Sequence, residues 1–208
     1  MNGPWPSLDV PILASIPQAE SIRWVSPLED DDYAEYRDED FLKLLGRADL
    51  TAALSRFWPS RGPQWDALAL TDSDDLLLVE AKAHVAEMCS PGTAASPASR
   101  ARIEARLEEA AASLGATGRR AAWADVFYQL ANRLAHLAFL RAQGASAYLV
   151  LVNFLNDSEM KGPTTVETWE AAYEVAFHAM GLPKGHRLAR YVVHVYPDVA
   201  PHLRASAS

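Results

Sequence analysis

Cysteine is almost missing from this chain. Cys89 is the only one in 208 residues, which excludes an internal disulfide and a cysteine-built metal centre and points to a reducing cytoplasm. Long apolar runs are missing too. No stretch nears the ~20 residues that cross a bilayer, so no membrane partner is expected. Met1 to Pro6 has neither a basic start nor an apolar run, and no secretory signal is expected there. No G-x-x-x-x-G-K-[ST], G-x-G-x-x-G or G-x-S-x-G pattern occurs, which leaves nucleoside-triphosphatase, Rossmann and serine-hydrolase readings without support. Lysine is scarce, and the basic residues are mostly arginine, the side chain suited to bidentate phosphate contacts.

Acid, by contrast, is abundant, and it is concentrated. The formal charge is −8, yet Glu29 to Asp40 alone carries eight acids against Arg37. That stretch holds −7, and the rest of the chain is close to neutral, so the folded body is free to present a basic face. Residues 1–38, with Pro4, Pro6, Pro11, Pro17 and Pro27 ahead of the acidic run, read as an extended arm with a short strand at Ile22–Val25. Residues 39–208 read as the main domain. Asp38 is expected to cap a helix carrying Phe41, Leu42, Leu45, Ala48, Ala52 and Ala53 and ending near Ser55.

Two apolar stretches follow, 64–71 and 75–84, with Asp72, Ser73, Asp74 and Asp75 at the turn. They predict a β-hairpin. Helices are expected at 98–114, 120–142 and 165–180, the last capped by Thr164 or Thr165 and stopped by Gly181. The continuous apolar segment 147–155 predicts a strand covered on both faces, and 188–196 a last strand. The order α-β-β-α-α-β-α-β predicts an α/β fold, a single mixed β-sheet flanked by helices.

The hairpin carries charge where a core strand does not. Alternation puts Leu78, Glu80, Lys82 and His84 on one strand face, with Glu80 and Lys82 ~7 Å apart along it. Asp66 begins the neighbouring strand and falls opposite residue 80 or close to it, a cross-strand pair with Glu80. Two facing carboxylates repel unless a proton or cation lies between them. Mg²⁺, which takes one or two carboxylates and fills its shell with water and phosphate oxygens, resolves that conflict.

Asp66 followed by Glu80-Ala81-Lys82 resembles the PD-(D/E)xK nuclease superfamily, the restriction-endonuclease-like fold. The motif covers 64–84, and the order of elements extends the likeness to about residue 155. Trp65 stands where relatives often have proline. The resemblance implies a restriction-endonuclease-like core and Mg²⁺- or Mn²⁺-dependent hydrolysis of nucleic acid, DNA in preference to RNA. It implies Asp66, Glu80 and the Ala81 backbone carbonyl as metal ligands and Lys82 as the group that activates water or stabilises the transition state. Glu39 is the candidate extra ligand on the first helix, and a homodimer or larger assembly is in keeping with the likeness. The alternative is a silent nucleic-acid- or protein-binding module on the same fold. A second triplet, Glu159-Met160-Lys161, has no apolar strand leading into it and is set aside.

Other polar positions have two readings each. Gln129, Arg133 and His136 recur at helical spacing and read first as a solvated stripe; the resemblance makes Gln129 and Arg133 substrate-binding candidates. His84 shares the Lys82 face and is a third. Glu87 follows as a supporting residue. His178, His186, His194 and His202 show no mutual ligand spacing and read as structural or solvent-facing. Trp58, Trp65 and Trp123 fall where core packing predicts an aromatic.

Overall fold

The computed structural model describes residues 5–117, 122–201 and 203. It is α/β, with one mixed five-stranded sheet flanked by helices. The strands are β1 (Ile22–Ser26), β2 (Ala67–Thr71), β3 (Leu76–Lys82), β4 (Ala147–Asn153) and β5 (Val192–Val195), arranged in chain order across the sheet. The helices are α1 (Pro6–Ala14), α2 (Asp38–Leu44), α3 (Thr51–Phe57), α4 (Pro97–Ser113), α5 (Tyr128–Ala142) and α6 (Val166–Ala179). β1, β2 and β3 form an antiparallel meander, and β4 and β5 continue parallel to β3. The parallel steps need long crossovers, which α4 with α5 and then α6 provide. No described helix is long and apolar enough to cross a membrane.

The sheet has two apolar faces, and alternation assigns them. Leu76 and Leu78 face a large core shared with Phe41, Leu134 and Trp169. Leu77 and Val79 face a smaller one shared with Leu8, Ile12 and Val150. The larger face carries α2 to α6. Trp58, Trp65 and Trp123 are all buried there, in keeping with the core reading.

The smaller face is covered by α1, and here the expectation of an extended arm is corrected. Proline density hid a helix. Pro6 sits in the first turn, where its missing N–H is not needed, and Leu8 and Ile12, one turn apart, are buried against the sheet. Asp9 anchors the helix: its carboxylate accepts from the Trp5 amide and from Trp24 Nε1, both at 2.9 Å. Ile22–Ser26 is the edge strand, as the sequence suggests.

Other boundaries move for local reasons. The helix expected from Asp38 to Ser55 breaks at Gly46, which has a φ of +69°, leaving α2, a short 3₁₀ turn and α3. Asp38 does not cap α2 from outside. It lies inside the first turn, and its carboxylate accepts from the Arg61 and Gly62 amides at 2.9 and 2.8 Å. The hairpin strands are shorter than 64–71 and 75–84: Gln64 to Asp66 stay outside β2, Ala83 and His84 lead into the Val85–Met88 3₁₀ turn, and Asp75 turns inward to accept from Thr71 Oγ1 at 2.9 Å and from the Ser146 hydroxyl. The helix expected at 120–142 is a π-turn over Ala122–Val126 followed by α5; residues 120 and 121 lie outside the described residues. The last strand spans only Val192–Val195, since Ala189–Tyr191 forms a 3₁₀ turn.

Ile12 is fully buried between α1 and the sheet. Ile12→Ala is expected to lower stability by about 2–4 kcal/mol, measured by urea unfolding. A loss below about 0.5 kcal/mol, the scale of a surface change, would show that α1 is only an appendage.

Candidate active site

The charged end of β3 lies under α5. Glu80 and Lys82 are each only 5 % exposed, and they sit on the large-core face with Leu76 and Leu78. A carboxylate there must be paired. Lys82 Nζ donates to Glu80 Oε1 at 2.9 Å, and Arg133 approaches Oε2 with Nε and Nη2, each at 2.6 Å. Arg133 spends its remaining donors nearby: Nη1 on Asn132 Oδ1 at 3.0 Å and Nη2 on the Gln64 carbonyl at 2.7 Å. Its guanidinium also lies 4.8 Å from the Trp65 ring centroid, a cation–π contact.

The polar stripe of α5 is therefore not solvated. Arg133 and His136 are buried, and Gln129 accepts from Lys82 Nζ at 3.3 Å through Oε1. The α-helical spacing was legible; its direction was not. The preceding π-turn sets that direction, since Ser90 pairs with Phe127 and its hydroxyl accepts from the Gln129 amide at 3.1 Å. His136 plays a different part. Its Nδ1 lies 2.8 Å from the Asn132 carbonyl, its ring packs on Phe57, Trp58 and Trp65, and burial drives its pKa down to about 3. It is a neutral core residue.

Asp66 arrives from β2. Ala67 pairs with Val79, so one further step sets Asp66 opposite Glu80. Asp66 Oδ2 accepts from the Ala81 amide at 2.6 Å. Burial, then the charge of Glu80, raises the Asp66 pKa from 3.8 to about 6, against the opposing pull of the Ala81 amide and Arg133. For Glu80, burial pushes upward most strongly, but Arg133 and Lys82 together hold the carboxyl below its usual range. The two acids thus divide their roles: Arg133 and Lys82 favour the ionised form of Glu80, whereas Asp66 titrates at about 6.

Two expected residues sit elsewhere. Glu39 is exposed on α2 and pairs with Lys43 at 3.0 Å, away from the cluster. His84 is half-buried at the start of a 3₁₀ turn, with Nε2 3.6 Å from Glu87 Oε1, and the same oxygen accepts from the Ala83 and His84 amides at 2.9 Å. Glu87 thus shapes the end of β3. His202 lies outside the described residues. The acid that does reach Asp66 is Glu35. Tyr36 bridges Trp65 in antiparallel fashion, which sets Glu35 beside Asp66, and its charge raises the Asp66 pKa further. Nothing in the sequence marks it, because that bridge joins two irregular segments. Tyr173, from α6, also reaches the cluster's edge: its hydroxyl donates to Asn153 Oδ1 at 2.9 Å, and Asn153 pairs with Lys82 across the sheet. Among the described residues, no three His, Cys, Asp or Glu side chains converge as a ready-made metal cage.

Arg133→Met leaves Glu80 with Lys82 as its only cation and is expected to cost about 3–5 kcal/mol in urea unfolding; a loss under about 1 kcal/mol would mean that the Arg133 pair contributes no more than a surface ion pair. For Asp66, the native state keeps a proton that the unfolded chain releases near pH 4, so this group lowers stability as pH rises from about 4 to about 6. Relative to Asp66→Asn, the wild type is expected to lose about 2–3 kcal/mol between pH 4 and pH 7.5. A stability difference that stays constant with pH would remove the raised pKa. No known protein family, curated protein or solved structure matches this chain.

Proposed function

We propose that the protein is a metal-dependent phosphodiesterase acting on nucleic acid, DNA in preference to RNA. One observation carries the reading: the carboxylates of Asp66 and Glu80 are close enough for the charge of Glu80 to raise the Asp66 pKa, with Lys82 bonded to the same Glu80. The antiparallel hairpin followed by helices and a parallel strand supports a restriction-endonuclease-like core.

The donor set suits Mg²⁺ or Mn²⁺. Carboxylate oxygens are hard ligands, and each has more than one lone pair, so Glu80 can serve a cation beside Lys82 and Arg133. Asp66, Glu80 and the Ala81 carbonyl would hold it, and it would supply Lewis acidity and an acidified water. The protein's own part is electrostatic. With Asp66 ionised, Asp66, Glu80 and Glu35 outnumber Lys82 and Arg133 by one charge, so a dication alone would leave the cluster positive. A dication therefore enters most favourably together with anionic charge, and a phosphodiester brings that charge. Lys82 would stabilise the negative charge growing on phosphorus or orient the attacking water, while Gln129 holds the ammonium from its far side. Arg133 keeps Glu80 ionised and fixed in place.

A second reading, a catalytically silent nucleic-acid- or protein-binding module, is favoured by the burial of Glu80 and Lys82. An ion-pair knot of that kind can serve structure alone. Cleavage of plasmid and single-stranded DNA separates the two. With Mg²⁺ or Mn²⁺ the wild type is expected to cut, and Asp66→Asn and Lys82→Gln are each expected to be slower by about 100-fold or more. Equal residual cutting by all three proteins would assign it to a contaminant and leave the binding module.

A further inference from the structure

A second concavity lies on the same face of the sheet. A cleft of about 880 Å³ opens between α6, the loop that follows it and β5, within the size range of small-molecule sites. Tyr173, Phe177, His186, His194 and Tyr196 line it with rings. Tyr173 meets His194 edge-on at 4.5 Å between centroids, and His194 lies nearly parallel to Tyr196 at 6.4 Å.

Ring packing leaves one nitrogen of each imidazole without a partner among the described residues. His186 is 8 % exposed, and Nδ1 of both His186 and His194 is buried with no hydrogen-bond partner among the described residues. Burial holds both rings below the usual histidine range, His194 at about 4, so both are neutral near pH 7. A neutral imidazole carries one N–H and one lone pair. A sealed, unpaired N–H costs more than a sealed lone pair, so the proton of each ring belongs on Nε2. Nε2 is not among the sealed, unpaired atoms, and both rings line the cleft. The cleft therefore presents two N–H donors between aromatic walls.

The rim sets the sign of the occupant. Glu170 and Glu174 stand at the opening, and Lys184 is already paired with Glu174 at 2.9 Å. An anion entering the cleft meets carboxylates. The ligand class that matches is planar, uncharged and edged with hydrogen-bond acceptors.

We propose that the cleft between α6 and β5 binds an uncharged heteroaromatic ring of the nucleobase kind, stacked against Phe177 and Tyr196 and hydrogen-bonded by His186 and His194. The ring reaches it as a free nucleoside or as a base of a strand. Glu80 pairs with Leu151, and Leu151 with His194, so His194 stands two strands, about 10 Å, from Glu80, near enough for one nucleotide to span. The site needs neither Asp66 nor Lys82 and stands or falls apart from the phosphodiesterase reading.

The test uses the full-length protein without metal. Adenosine, guanosine, cytidine and thymidine, their 5′-monophosphates and a short single-stranded oligonucleotide are titrated by calorimetry, with the His186 and His194 ring resonances followed by NMR. At least one nucleoside is expected to bind saturably and shift both rings, more tightly than its monophosphate, with His186→Phe and His194→Phe each weakening it about tenfold. An oligonucleotide that shifts the same rings more tightly assigns the base to a strand; one that binds more weakly assigns it to a free nucleoside. The absence of any shift in the wild-type rings, or affinity unchanged in both variants, would overturn the proposal. The wild-type resonances decide the matter even where a variant fails to fold.

Discussion

The Glu80 carboxylate is buried, and the centre of the protein is organised around keeping it charged. Lys82 holds one oxygen and Arg133 the other. Because Arg133 also reaches the Gln64 carbonyl and the Trp65 face, one guanidinium ties together β3, α5 and the segment entering β2. An isolated carboxylate in this position would take a proton instead. Its paired state makes the neighbouring Asp66 the group that titrates, so the stability of the knot and the chemistry available to it come from the same charges.

The sheet topology brings those charges together. An antiparallel hairpin sets the start of one strand beside the end of the next, which is how Asp66 meets Glu80. A parallel partner then requires a crossover, and the crossover lays α5 across the same face. Its spacing of four residues from Gln129 to Arg133 is one turn, so Lys82 and Glu80, two residues apart on the strand, each find a partner on the helix. The opposite face has no such ion-pair knot among the described residues: its buried carboxylate, Asp75, is held by the neutral donors Thr71, Gln18 and Ser146. α1 closes that face with apolar contacts, apart from the Asp9 anchor to Trp24. α6 and β5 extend the charged face outward, with Tyr173 between the ion-pair knot and the aromatic cleft.

Much of this was legible in the residues themselves. Period-two alternation placed Glu80 and Lys82 on one face, continuous apolar runs marked β3 and β4, and the helical periods of α4, α5 and α6 were readable with errors only at their ends. The α/β class and the Asp66–Glu80 juxtaposition followed from local pattern and hairpin register. Less could be read where the deciding contact was remote. The helix at 6–14 was hidden by its prolines: the first turn tolerates Pro6, but Pro11 lies inside the helix. Glu39 looked right by its place on a helix, but that helix turns it to solvent, and Glu35 takes the place beside Asp66 through a bridge that no local pattern announces.

Which residues are charged, which face of each strand they occupy and where the helical periods run are local properties, set by neighbours within a few positions. That Arg133 points inward to Glu80, that His136 is a neutral core residue, and that His186 and His194 share a cleft emerges only on folding. Each of those outcomes depends on burial and on a partner tens of residues away, and a linear chain does not encode burial one position at a time.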